Sequence, residues 1–221
     1  GYWQEEFTLT GVNQAVTARR LDPSKRHLEF PPLLRDPIIP MLQGHFTTGA
    51  PLRCVEVGSG PMSTLAWGVE QGLLEVSAVD VLAEQYARLH EAHNYPPYPV
   101  RPVAGSAENL FDHFEEQSFH LAYVSNALDH TDDCPSVFDA LVRATMHSGA
   151  VVLQHHLNEG TRQDWSDSHK WNLDLGGKWL EATNRDGEVF ELSNRPDLEL
   201  TYLNYRSNLL DGWIDIVFRK L

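Results

Sequence analysis

The chain has 221 residues, with 17 basic against 31 acidic side chains and a net charge of −14. Hydrophobic residues make up 42% and charged residues 22%, which suits one packed domain with additions and excludes a disordered chain. The acidic surplus repels phosphate backbones and anionic lipid, so neither a nucleic-acid nor a membrane-surface partner is expected.

No apolar run reaches the roughly 20 residues that span a bilayer, and GYWQEEFTLT has no basic stretch leading into an apolar one, so no signal peptide is expected. Two cysteines, Cys54 and Cys134, make no disulfide framework. A reducing, cytoplasmic setting follows as an expectation.

Residues 1–46 read as an N-terminal helical appendage. Five prolines between 21 and 40 forbid one long helix, and a short helix is expected with Asp36 as N-cap and Pro37 inside it. Strand and helix then alternate through residues 47–221: strand Arg53–Val57, helix Met62–Gln71, strand Leu74–Val79, helix Val81–His93, strand Val100–Ala104, strand Phe119–Val124. A helix capped by Asp133 runs to about Met146, and strand Ala150–His155 follows. This order of near-continuous apolar strands predicts an α/β fold with a parallel sheet between helices. Lys178–Thr183 and Glu188–Leu192 flank Asp186–Gly187 as a β-hairpin inserted at about 176–194. Leu198–Tyr205 and Trp213–Arg219 form a closing antiparallel pair.

Four strand ends carry chemistry. Val55-Glu56-Val57-Gly58-Ser59-Gly60-Pro61 joins strand one to its helix, and its glycines let backbone approach a ligand closely. Ser63 stands where a dinucleotide loop wants a third glycine, which counts against a nicotinamide oxidoreductase. Glu56 before the loop suits a cationic ligand. Asp80 ends strand two, twenty residues after Gly60, the spacing at which an acid meets ribose hydroxyls. Ser106-Ala107-Glu108 follows strand three as a small-residue turn that can hold an adenine edge. Asn126, with Asp129 and His130, follows strand four.

In this order the motifs VEVGSGPMS, AVD, GSAENL and HLAYVSNALDH resemble the class I S-adenosylmethionine-dependent methyltransferases of the type-11 kind, over about residues 52–156. The resemblance implies a Rossmann-like, mostly parallel seven-stranded sheet with an antiparallel edge strand. It implies S-adenosylmethionine as cofactor, with Glu56, Gly58, Ser59 and Gly60 at its methionine part. Asp80 would meet the ribose, Ser106, Ala107 and Glu108 the adenine, and Asn126 the sulfonium pocket.

The segment from Gln154 to Asn172 leaves strand five where an acceptor would lie. His155, Asn158, Glu159, Trp171 and Asn172 are read as acceptor-binding, and His156, His130 and His169 as candidate general bases. Strand alternation sends His155 and His156 to opposite faces, with His156 preferred as base. A metal is the remaining alternative for these histidines, and none is expected. The expected function is methyl transfer to a small-molecule hydroxyl. The alternatives are N-methylation and a cofactor-binding module without turnover. A homo-oligomer is compatible with the sequence.

Overall fold

The computed structural model describes residues 14–47, 49–166, 169–177, 179–206 and 212–221. Helix α1 (Gln14–Leu21) and helix α2 (Ile39–Phe46) precede strand β1 (Leu52–Val57). Then come α3 (Ala66–Glu70), β2 (Leu74–Asp80), α4 (Ala83–Ala92), β3 (Val103–Ala104) and β4 (Phe119–Ser125). Helix α5 (Cys134–Ala144) leads into β5 (Thr145–His156), followed by a turn of helix, α6 (Glu159–Arg162). Strands β6 (Trp171–Gly176), β7 (Trp179–Asn184) and β8 (Val189–Glu191) precede β9 (Leu198–Arg206) and β10 (Trp213–Lys220).

Seven strands lie in the order β3-β2-β1-β4-β5-β10-β9. Neighbours from β3 to β5 are parallel, and β10 runs antiparallel to both β5 and β9. The expected α/β sheet is therefore present. Alternate residues of each strand face opposite layers. Val55, Val57, Val124 and Leu153 join Val137, Phe138 and Leu141 of α5 on one face. On the other, Leu52, Cys54, Tyr123 and Val152 pack beneath Phe30, Leu34, Ile38 and Leu42. The described part of the N-terminal segment thus covers one face of the sheet; residues 1–13 of the expected appendage lie outside the described residues.

Several local expectations are corrected. Asp36 has extended backbone and caps nothing; α2 starts at Ile39 with Ile38 as its N-cap. Helix α3 begins four residues later than expected, because Ser63 Oγ accepts the Leu65 amide at 2.9 Å and holds a turn there. Val100 is not in a strand but packs beside Met62, Ala66 and Tyr98, leaving only Val103–Ala104 paired to β2. The inserted hairpin is seen as β7 and β8, but β6 pairs with β7 to make a separate three-stranded antiparallel sheet. Lys178, the expected first hairpin residue, lies outside the described residues. Asp133 caps α5 as expected, accepting the Ser136 amide at 3.1 Å.

Candidate functional site

The parallel strands end together, and the loops after β1, β2, β3 and β4 enclose a crevice of about 490 Å³, within the usual range for small-ligand sites. Gly58 turns the chain out of β1 with φ +65°. A Cβ there would lie 2.3 Å from the Ala127 Cβ, so only glycine lets the first and fourth loops meet. Gly60, at φ +63°, donates its amide to Asp80 Oδ2 at 3.0 Å, while Leu82 donates to Oδ1 at 2.9 Å. Burial raises the Asp80 carboxyl above its ordinary value, against the pull of these two amides. A carboxylate has about four acceptor positions, so Asp80 keeps capacity for a diol.

Ser106 Oγ accepts the Glu108 amide at 3.2 Å and is paired with the Glu108 carboxylate. Glu108 Oε1 also accepts the amides of Asp132 at 2.7 Å and Asp133 at 3.3 Å. Partial burial raises this carboxyl, but the bonds from Ser106 and the backbone amides outweigh it, and the net shift is downward. Asn126 sits in left-handed backbone at φ +49° and its Oδ1 accepts the His156 amide at 3.2 Å. Gly58, Gly60, Asp80, Ser106, Ala107, Glu108, Asn126 and His130 all line the crevice. Glu56 lies behind the loop, 3% exposed. Burial pushes its carboxyl up to about 7, opposed by Ser63, and its Oε2 has no hydrogen-bond partner among the described residues.

Beside the Asn126 end lies a cluster built on Asp129, whose side chain is wholly buried. His155 Nε2 donates to Oδ1 at 2.9 Å, and His169 Nδ1 donates to Oδ2 at 2.5 Å. His130 Nε2 stands 3.7 Å from Oδ1, and its ring lies 4.6 Å from that of His169. His155 Nδ1 faces the His156 carbonyl at 2.6 Å. Both nitrogens of His155 therefore point at acceptors, so it carries both protons and forms a buried ion pair. Burial lowers the His155 imidazole, but Asp129 outweighs burial and raises it. The histidines in turn hold the Asp129 carboxyl well below the ordinary range despite its burial. Lys170 donates its amide to the Asp129 carbonyl at 2.7 Å, and its ammonium pairs with Asp132 at the crevice wall.

The structure separates the remaining sequence-derived candidates. His156 turns away from His155, as strand alternation requires, and packs edge-on against Trp213 with ring centres 4.6 Å apart. Asn158 Nδ2 donates to Asp174 Oδ2 at 3.0 Å. Asn172 accepts the Thr161 amide at 2.8 Å and donates to its hydroxyl at 2.7 Å. Trp171 donates to the Thr131 carbonyl at 2.9 Å and is 7% exposed. These three tie the small sheet to the loops around it. Glu159 is buried behind His155. Asp129, Lys170 and Asp132 were not among the sequence-derived site residues. The signal for Asp129 was its position beside His130 in the same strand-four loop.

The two cysteines are buried and unpaired. Among the described residues, no helix is long and apolar enough to cross a membrane.

Residues 55–153 match the family model described as a methyltransferase domain, type 11. No curated protein sequence matches the chain. Among solved structures, a Burkholderia thailandensis 1,6-didemethyltoxoflavin-N1-methyltransferase, with 1,6-didemethyltoxoflavin and S-adenosylhomocysteine bound, is 17% identical at a TM-score of 0.51. The match covers 96% of this chain and 91% of that one. An S-adenosylmethionine-dependent methyltransferase from Mesorhizobium loti is 16% identical at a TM-score of 0.50, covering 82% of this chain and 96% of its own. The [4+2]-cyclase SpnF has the same fold, at 11% identity and a TM-score of 0.51, with 82% and 79% covered.

Proposed function

We propose that this chain, whose residues 55–153 form a class I S-adenosylmethionine-dependent methyltransferase domain, transfers the cofactor's methyl group to a hydroxyl oxygen of a small molecule. The observation that carries the reading is the crevice itself. Two Cβ-free turns, a buried acid with spare acceptor capacity and a small-residue turn face one space large enough for a nucleoside. When bound, S-adenosylmethionine supplies a methyl group on a positively charged sulfur.

The protein's own task is to seat the ribose on Asp80, the adenine edge between Ser106 and Glu108, and the sulfur end toward Asn126. Glu56, whose carboxyl burial raises to about 7, sits behind the loop where a cationic end would favour its ionised form. Holding an acceptor oxygen in line with the methyl group supplies much of the acceleration. A hydroxyl must also lose its proton as the oxygen–methyl bond forms, and His130, the imidazole of the Asp129 cluster that lines the crevice with Asn126, is placed to take it. A net charge of −14 disfavours nucleic-acid acceptors, and two separate buried thiols suit a reducing compartment such as the cytoplasm.

Because a cyclase shares the fold, fold alone does not choose the chemistry. Calorimetry with S-adenosylhomocysteine and with NAD tests the cofactor. Methyl-labelled S-adenosylmethionine offered with phenols, aliphatic alcohols and amines tests the acceptor. Binding of S-adenosylhomocysteine and not NAD, with label on hydroxyl compounds, is expected. Label on amines alone overturns the oxygen assignment.

A further inference from the structure

Only Val103 and Ala104 pair with β2, and the residues before them explain why the third strand is so short. Pro96, Pro97, Pro99 and Pro102 carry no amide hydrogen and cannot extend a ladder. Residues 94–102 instead run outside the sheet and face α4 across an open-sided cavity of about 630 Å³. It is larger than the crevice, at about 490 Å³. Ala83, Tyr86, Ala87 and His90 line it from α4, at positions i, i+3, i+4 and i+7 of one helix face. The two alanines leave room for a ligand between the helix and the proline-rich segment. From that segment come Tyr95 and Tyr98. The His90 ring lies edge-on to Tyr95, with centres 5.5 Å apart, and is tilted to Tyr98 at 6.4 Å.

Arg101 stands exposed on the rim of this cavity and makes no ion pair or hydrogen bond through its side chain among the described residues. The other rim charges are Arg88, held by Glu84 at 3.2 Å, and Glu91. In a chain with 31 acidic against 17 basic side chains, a guanidinium left without an acid beside an aromatic cavity points to an acid supplied from outside. We propose that the cavity is a second ligand site, for a small aromatic carboxylate. Its ring lies over the alanines against His90 and Tyr95, where apolar and aromatic contact supplies the affinity. Its carboxylate meets Arg101, whose planar fork matches two carboxylate oxygens.

The cavity and the crevice share a thin wall. Tyr86 lines both. His90 Nε2 lies 3.0 Å from the carbonyl oxygen of Pro61, and Pro61 follows Gly60, whose amide is bonded to Asp80. A ligand packed on Tyr86 and Pro61 holds that turn in the shape that receives the cofactor, so the two ligands favour one another's binding. The site itself is independent of the methyl-transfer reading; the coupling alone rests on it.

The experiment uses the full chain with 2-naphthoate, a fluorescent aromatic carboxylate, and 2-naphthylmethanol as its uncharged control. One equivalent of naphthoate is expected to bind, about tenfold tighter than the alcohol. Arg101→Gln should remove that advantage and leave the alcohol unaffected. Ala87→Trp fills the space beside the helix and should abolish binding of both; Arg101→Gln, on the exposed rim, carries the test if the tryptophan variant fails to fold. S-adenosylhomocysteine should bind about threefold tighter when naphthoate is saturating, and naphthoate should gain by the same factor. No naphthoate uptake, uptake unchanged by Arg101→Gln, or one-for-one displacement of naphthoate by S-adenosylhomocysteine overturns the site. Two ligands that bind without altering each other's affinity overturn the coupling. Failure to bind S-adenosylhomocysteine, with naphthoate still dependent on Arg101, sinks the cofactor reading and leaves the second site standing.

Discussion

Asp80 holds Gly60: its Oδ2 accepts the glycine amide at 3.0 Å, so the acid at the end of β2 shapes the loop at the end of β1. One side chain thus both presents a ligand contact and fixes the turn against which that ligand lies. Asp80→Ala removes two amide-to-carboxylate bonds, each contributing about 1.5–3 kcal/mol in general. S-adenosylhomocysteine affinity should fall by about tenfold or more, with a lowered melting temperature. Asp80→Asn keeps an acceptor for one amide and should lie between. Calorimetry with a thermal melt on each variant checks this; parental affinity in Asp80→Ala would place the ribose elsewhere.

Gly58 and Gly72 separate two costs of losing a glycine. Both have positive φ, +65° and +66°, and in either place alanine pays about 1–2 kcal/mol for left-handed backbone. Only at Gly58 does the added Cβ strike another residue, Ala127, while at Gly72 nothing lies within 4 Å. Gly58→Ala should push the first and fourth loops apart and abolish measurable S-adenosylhomocysteine binding. Gly72→Ala should lose only stability and bind like the parent. Equal affinities in the two variants would show that the Gly58–Ala127 contact does not shape the crevice.

The strand-end residues were readable because backbone geometry and period decide them. Gly58, Gly60 and Asp80 follow apolar strands whose burial on both faces leaves little choice of register. The cluster on Asp129 was harder to see. It joins residues 26 and 40 positions apart, and no local pattern states that His155 turns toward Asp129 while His156 turns toward Trp213. The preference for His156 rested on sequence proximity, yet it is His130 that lines the crevice. Strand β6 was missed because its residues, Trp171 to Gly176, gain their partners only from β7, after the turn that made the hairpin visible.

Glu56 links stability to pH. Burial raises its folded-state pKa from 4.5 to about 7, so between those values the folded protein holds a proton that the unfolded chain has released. Stability from this group is greatest below about pH 4.5 and is lost as pH rises through about 7, by up to about 3 kcal/mol. Glu56→Gln keeps the shape without the titration. Denaturant melts from pH 5 to 8.5 should show the parent weakening and the variant holding flat over that interval, so that the variant is the more stable at pH 8. Parallel pH profiles would mean that a cation already neutralises Glu56 in the free protein.

Glu108 joins the third loop to the fourth. Its Oε1 accepts the amides of Asp132 and Asp133, while Ser106 pairs with its other oxygen. The side chain therefore holds the wall on which Asp132 and Lys170 stand. Glu108→Ala frees two amides next to the N-cap of α5 and should let that wall drift. The general loss for charge-assisted bonds is about 1.5–3 kcal/mol each, discounted here because the carboxylate is only partly buried. A drop of about three- to thirtyfold in S-adenosylhomocysteine affinity is expected. Glu108→Gln, which still offers one carbonyl oxygen to the amides, should recover most of it. The bonds also lower the Glu108 pKa, so their contribution is present above the ordinary carboxylate range and fades as pH falls through the depressed value. The difference in affinity between parent and Glu108→Gln should accordingly persist at pH 7 and shrink only as pH falls below the ordinary carboxylate range. Calorimetry across that span decides it. An alanine variant that binds like the parent at pH 7 would show that the fourth loop is held by Asp129 and Lys170 without Glu108.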